Sequence, residues 1–175
     1  MGFLPDWNGL HPLIVHFPIA LLVVAPVLVV IGLALKRQRA FLFAALLVMA
    51  LGTAGAWVAV GTGEAAGELA ERVPGVEPVL ERHGEMAETT RTLFTVLTLV
   101  YAGLLFAPLA LKRQPRRLAE MGAHGVFLAA YAAASVYLGK TAHQGGMLVH
   151  QYGVHALQAA TPTLEAGRGS HEDDD

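Results

Sequence analysis

Apolar residues are grouped in four long stretches that contain no Asp, Glu, Lys or Arg. These stretches cover residues 12–35, 40–63, 92–111 and 121–139. A helix that crosses the hydrocarbon core of a membrane needs about 20 largely apolar residues. The pattern therefore predicts an all-α integral membrane protein with four spanning helices, at about 12–35, 40–63, 90–111 and 119–139.

The charged connections predict how these helices are oriented. Residues 36–39 and 112–117 contain basic side chains and no acidic one, whereas the connection between the second and third spans is rich in glutamate. Basic loops stay on the cytoplasmic side of a membrane. We therefore expect an antiparallel four-helix bundle in the bacterial inner (cytoplasmic) membrane, with both termini on the outer, periplasmic side.

Proline and glycine positions refine the ends of the helices. Pro12 suits the first turn of a helix, whereas Pro18 and Pro26 lie inside the first span, where each leaves a backbone carbonyl without its usual donor. In lipid such a carbonyl needs a partner, so this helix should pack against its neighbours. The second helix should extend beyond the membrane to Pro74-Gly75, and the third should begin near Pro78.

The chain after the fourth span is expected to be less regular. His143-Gln144-Gly145-Gly146 is interpreted as a break, followed by a short amphipathic segment on the outer side, at residues 147–160. We expect residues 1–160 to form the four-helix domain and residues 161–175 to be a disordered acidic tail.

The amino-acid composition excludes several kinds of functional site. Apolar residues make up 54% of the chain and charged residues 15%, against roughly 25% charged in soluble domains. Cysteine is absent, which excludes disulfides, thiolate catalysis, iron–sulfur clusters and covalently attached c-type haem. The net charge of −2 provides no basic face for nucleic acid. We recognise no enzyme motif, and whether the protein is an enzyme stays open, with an electron carrier favoured.

Small residues form a stripe along the second helix. Gly55, Ala59, Gly63 and Gly67 recur every fourth position. Such a stripe lets another helix approach closely, either from the same chain or from a second copy in an oligomer.

The eight histidines are the main candidates for a site, because most of them map to the outer membrane boundary. Imidazole is a common ligand of haem iron, zinc, copper and nickel. His11 and His16 are five residues apart, about 140° around a helix, so each would need a partner from another helix. Each histidine could equally be a cap, a hydrogen-bonded structural residue or an interfacial polar residue. His124 near the cytoplasmic face is interpreted as structural or headgroup-facing and His171 in the tail as solvated, and the role of His155 stays open.

Several motifs resemble an uncharacterised bacterial membrane family labelled domain of unknown function 2231. The opening H-P-L-I-V-H-F-P at residues 11–18 is similar to that family's signature. Residues 62–67, the His83-Gly84-Glu85 segment and G-G-M-L-V at residues 145–149 resemble later motifs. The chain departs from the family by having His150 where a tyrosine is usual and Tyr152 where a histidine is frequent. The resemblance implies a four-helix membrane protein, similar in some members to b-type cytochromes and associated in others with c-type cytochromes.

The resulting hypothesis is a protein like a membrane b-type cytochrome, which carries electrons near the periplasmic face through bis-histidine haem. His16 and His83 are the first predicted axial pair. If a second haem exists, His11 with His143 or His150 is the next. Arg82 or Arg91 would pair with the haem propionates. The expected redox partners are a quinone or a periplasmic c-type cytochrome.

Two alternatives use the same side chains. In the first, His11, His16 and His83 with Glu85 or Glu88 form a divalent metal site of a binding or transport module. In the second, the protein is a purely structural membrane subunit, and its histidines bind backbone carbonyls that Pro18 and Pro26 leave free.

Overall fold

The protein is all-helical throughout the part described by a computed structural model, residues 7–35, 38–112 and 116–154. A 3₁₀ turn at Trp7–Gly9 is followed by α1 (His11–Ile14), α2 (His16–Ala34), α3 (Gln38–Ala70), α4 (Glu77–Ala110) and α5 (Arg117–His150). Within the described residues, four helices are long and apolar enough to cross a membrane: α1 with α2, α3, α4 and α5. The four predicted spans are confirmed.

Prolines determine the shape of the first span. α1 starts with Pro12 in its first turn, and the helix is interrupted at Val15. Because Pro18 has no N–H, it cannot donate to the carbonyl of Ile14, which weakens the helix at this point. Pro26 likewise leaves the carbonyl of Leu22 free. The hydroxyl of Tyr131 on α5 donates to that carbonyl at 2.7 Å, so a neighbouring helix supplies the expected partner.

The middle helices continue well beyond the apolar stretches. α3 extends to Ala70 and is followed by a turn in which Gly75 has a φ of +76°, a conformation that glycine adopts without strain. α4 begins at Glu77 with Pro78 in its first turn. Both features agree with the sequence prediction. His83 therefore lies on a regular helix.

The predicted break after the fourth span is wrong. α5 is one helix from Arg117 to His150 and passes through Gly145 and Gly146, so the predicted separate segment does not begin at Met147. Glycine inside a helix costs about 1 kcal/mol relative to alanine, but it also allows a close contact. Gly145 makes such a contact with the ring of His83. Residues 155–160 of the predicted segment and the tail at 161–175 lie outside the described residues.

The helices pack in chain order, and α2 also contacts α5. Buried residues recur at helical spacing, as in Leu22, Ala25 and Val29 on α2. Aromatic rings pack between α4 and α5. The ring centres of Phe94 and Tyr131 are 5.2 Å apart, and those of Tyr101 and Phe127 are 4.8 Å apart. Outward faces carry large apolar residues such as Leu99, which is 67% exposed. Such faces suit contact with lipid chains.

Candidate functional site

The rings of His11 and His83 face each other at one end of the helices. His11 begins α1 and His83 lies in the second turn of α4. Their ring centres are 6.4 Å apart, and the ring planes are inclined at 81°. Both side chains are half-buried. The α3–α4 turn lies at the same end of the helices.

Each imidazole is held through Nδ1 by a carbonyl of another helix. Nδ1 of His11 donates to the carbonyl of Ala59 at 2.9 Å, and Nδ1 of His83 donates to the carbonyl of Thr141 at 3.1 Å. A carbonyl only accepts, so both Nδ1 atoms carry the hydrogen. Each neutral ring therefore has its lone pair on Nε2, on the edge away from the anchoring carbonyl. Such a bond fixes the tautomer and orientation of a metal-binding histidine.

Threonine hydroxyls reinforce both anchors. The Thr62 hydroxyl lies 3.4 Å from Nδ1 of His11 and also donates to the carbonyl of Ala59. The Thr141 hydroxyl lies 2.8 Å from that of Thr90. The first contact adds to the orientation of the His11 ring, and the second joins α4 to α5 beside the carbonyl that anchors His83.

Two glycines make room for the two rings. A Cβ added at Gly63 would lie 2.9 Å from Cε1 of His11, and one added at Gly145 would lie 3.0 Å from Cε1 of His83. Real Cβ atoms hardly ever come so close to another side chain. Each ring can therefore lie this close to its neighbouring helix because the residue beside it is glycine.

A cavity of about 500 Å³ adjoins the two histidines. Its volume lies within the range of about 300–1,000 Å³ typical of sites for small molecules and cofactors. Small and apolar residues dominate its walls: Val60, Gly63, Ala66, Gly67, Ala70, Leu80, Gly84, Ala87, Gly145, Leu148 and Val149. Gly153 and Val154, which follow α5, also line it. The arrangement suits a flat, largely apolar group that contacts both rings.

Charged side chains also line the cavity. Four of them are glutamates, namely Glu64, Glu68, Glu71 and Glu88, and one is Arg72. All five are exposed. The cavity is therefore accessible to water at its charged positions, whereas its two imidazoles are half-buried.

The structure places His11, not His16, opposite His83. His16 is exposed, and its Nδ1 donates to the carbonyl of Pro12 on the same helical segment at 2.8 Å. The histidines that line the cavity are His11 and His83, and His16 is not among the lining residues. The sequence separation of five residues put the two histidines on different sides, and the side that faces α3 and α4 is the one carrying His11.

The other predicted site residues do not join this pair. His143 and His150 are exposed on α5 and do not line the cavity, so the structure brings neither of them to His11. Arg82 is exposed on α4 and also lies outside the cavity wall. Arg91 stacks on Trp57, with its guanidinium carbon 4.3 Å from the ring centre.

The small-residue stripe of α3 is used inside the chain. A Cβ at Gly55 would lie 3.3 Å from Phe17 and Pro18, and Gly63 faces His11. The chain's own first helices therefore occupy the face that the sequence also offered to a second copy.

His124 is buried among the helices and does not face lipid headgroups. It is 2% exposed, its Nδ1 donates to the carbonyl of Glu120 at 2.9 Å, and its ring centre lies 5.9 Å from that of Tyr101. His155 and His171 lie outside the described residues. Within residues 7–35, 38–112 and 116–154, no three His, Asp or Glu side chains come close enough to share one metal ion.

Sequence reasoning did not find Arg72, the two anchoring carbonyls or the contacts of Gly63 and Gly145. The glycines were visible as part of a stripe and of a G-G pair, but their partners depend on how the helices are aligned. Fold and site together define a helical membrane protein with an inter-helix histidine pair beside a cavity.

Comparison with known families identifies this class further. Residues 8–158 match the family described as predicted membrane protein (DUF2231), and the chain belongs to that family. No curated protein and no solved structure matches the chain.

Proposed function

We propose that the protein is a four-helix membrane redox protein of the b-type cytochrome kind, in which His11 and His83 bind one haem as axial ligands. The distance between the two rings carries this proposal. A metal–imidazole bond measures about 2.0–2.1 Å, and a ring nitrogen lies about 1.15 Å from the ring centre, so imidazoles on opposite sides of one metal have centres about 6.4 Å apart. His11 and His83 show a separation of 6.4 Å.

The number of donors also supports haem. Structural zinc needs four protein ligands and catalytic zinc needs three, whereas haem contributes its own four nitrogens and requires at most two axial ligands. The cavity presents two imidazoles from different helices, each oriented through Nδ1. This donor set fits haem better than a bare divalent ion.

When bound, haem would supply a one-electron couple. His11 and His83 would hold the group in a fixed orientation, and the carbonyls of Ala59 and Thr141 would increase the basicity of the two rings. Apolar walls at Val60 and Leu148 would keep water from part of its surface. Ligand identity, hydrogen bonding and burial are the factors by which a protein sets the potential of haem.

The orientation in the membrane completes the proposal. Arg39 lies in the first turn of α3, Lys112 follows α4 and Arg117 begins α5, so these basic residues lie at the helix ends opposite the cavity. Basic connections favour the cytoplasmic side. We therefore place both termini and the histidine pair at the periplasmic face of the bacterial inner membrane. The protein would exchange electrons there with a quinone or a periplasmic c-type cytochrome.

Absorption spectra of the purified protein and three variants test the haem proposal. We expect a Soret band that changes on dithionite reduction in the wild type. His11→Ala and His83→Ala should lose or alter it, because each removes one axial ligand. His16→Ala is the matched control and should keep the wild-type spectrum, since its ring binds a carbonyl of its own segment.

Metal analysis of the same samples separates the alternatives. Zinc, copper or nickel without haem would favour a divalent metal site and overturn the haem proposal. Neither metal nor haem, together with lower thermal stability of His11→Ala and His83→Ala, would make the histidines structural and would overturn it as well.

A further inference from the structure

Arg72 stands at the opening of the cavity. It follows the end of α3, its side chain is exposed, and it is one of the residues that line the cavity. We infer that this opening is a carboxylate-binding subsite in which Arg72 is the binding cation. The inference rests on the haem function proposed above, because it concerns the acidic edge of that group.

The positive charge of Arg72 is available to a ligand as far as the described part of the chain is concerned. Among the described residues, it is the single Lys or Arg that lines the cavity, and it has no ion-pair partner. Arg82 lies outside the cavity wall, and the guanidinium of Arg91 stacks on Trp57. Neither of the arginines predicted from the sequence is therefore placed to bind a carboxylate in the cavity.

The position of Arg72 relative to the histidine pair indicates how a group bound in the cavity would be oriented. His11 contacts α3 at Ala59 and Gly63, and α3 continues from Gly63 to Ala70 over about 10 Å at 1.5 Å per residue. The cavity therefore extends from the histidine pair towards the α3–α4 turn. A planar group bound at the histidines would have one edge near this turn.

Two of the four glutamates in the wall favour the same orientation. Glu64 follows Gly63 directly and Glu88 follows Ala87, so both lie at the level of the histidine pair or deeper. A carboxylate turned towards them would be repelled. Glu68 and Glu71 also approach the opening, which leaves Arg72 as the attractive charge for a carboxylate on the described wall. The acidic edge of the bound group should therefore point to Arg72.

Arginine is well suited to this task. Its planar guanidinium forms paired hydrogen bonds with a carboxylate, in a geometry that an amide side chain cannot reproduce. Haem carries two propionates on one edge, so the proposed ligand provides the required group. Because the site is exposed to water, which weakens an ion pair, we expect the contact to contribute about a threefold difference in affinity.

The experiment compares two ligands and three full-length proteins. Wild type, Arg72→Gln and Arg82→Gln, each produced without a supply of haem, are titrated with ferric haem and with its dimethyl ester, whose propionates are blocked. Wild type and Arg82→Gln should bind haem about threefold more tightly than the ester. Arg72→Gln should bind both ligands with the affinity that the wild type shows for the ester.

The outcomes distinguish this inference from the proposal on which it rests. If the wild type binds neither ligand, the haem function fails and the subsite fails with it. If the wild type binds haem but Arg72→Gln still prefers haem over the ester as strongly, the haem function stands and the subsite is overturned. Equal loss for both ligands in Arg72→Gln would show a merely structural role and would also overturn it.

Discussion

The ring of His83 lies so close to Gly145 that a methyl group on this glycine would stand 3.0 Å from Cε1. Alanine normally stabilises a helix relative to glycine by about 1 kcal/mol, and the next residue offers a direct comparison. At Gly146, an added Cβ would meet nothing within 4 Å. Gly146→Ala should therefore raise the melting temperature in detergent, whereas Gly145→Ala should not.

The same substitutions should affect ligand binding differently. Gly145→Ala should displace the His83 ring and weaken haem binding, as should Gly63→Ala, whose Cβ would lie 2.9 Å from Cε1 of His11. Gly146→Ala and Gly61→Ala are the matched controls, since a Cβ at either glycine meets nothing within 4 Å. Haem titration measures the effect. Equal affinity of all four variants would show that the rings do not need these glycines.

Two buried tyrosines should respond oppositely to removal of their hydroxyl groups. The Tyr131 hydroxyl donates to the carbonyl of Leu22, which Pro26 leaves free, so Tyr131→Phe should cost about 1–3 kcal/mol of unfolding free energy. The Tyr101 hydroxyl is buried and has no partner among the described residues, so Tyr101→Phe should be neutral or stabilising. Thermal unfolding in one detergent compares them. A loss of stability in Tyr101→Phe would show that a partner binds its hydroxyl.

The glutamates that line the cavity should lower the reduction potential of a bound haem, because the ferric form carries one more positive charge than the ferrous form. Glu88→Gln removes one of these charges and should raise the midpoint potential by roughly 10 mV or more, since the exposed carboxylate is screened by water. Glu81→Gln is the control, as Glu81 is exposed on the same helix outside the cavity wall. Redox titration followed by absorbance measures both. An equal shift in both variants would contradict a local effect of Glu88.

The orientation in the membrane can be tested directly, because the wild type has no cysteine that would react in the background. Glu81→Cys places a thiol at the start of α4, and Lys112→Cys places one just after its end; both positions are exposed. A membrane-impermeant maleimide added to intact spheroplasts should label the first variant and not the second. The opposite pattern would place the cavity on the cytoplasmic side.

The spans and the extended α4 could be predicted because they depend on local properties, namely charge-free length and the position of Pro78. The histidine pair could not be assigned in the same way. The sequence showed that His11 and His16 lie on different sides, but which side faces α4 depends on packing against Ala59 and Gly63. Similarly, Gly145 carries the same local signal whether it ends a helix or admits a ring. Only the alignment of α4 with α5 distinguishes the two.

The aromatic rings between α4 and α5 and the cavity beside the histidines lie at different levels along the helices. Tight contacts among Phe94, Tyr131, Phe127 and Tyr101 hold α4 and α5 together in one half, while glycine and alanine line the open space in the other. Regions with few buried apolar contacts open locally at lower free energy than the global unfolding transition. We therefore expect segments around the α3–α4 turn to separate transiently while the aromatic half stays folded, which would give the proposed haem an entry route that does not require the protein to unfold.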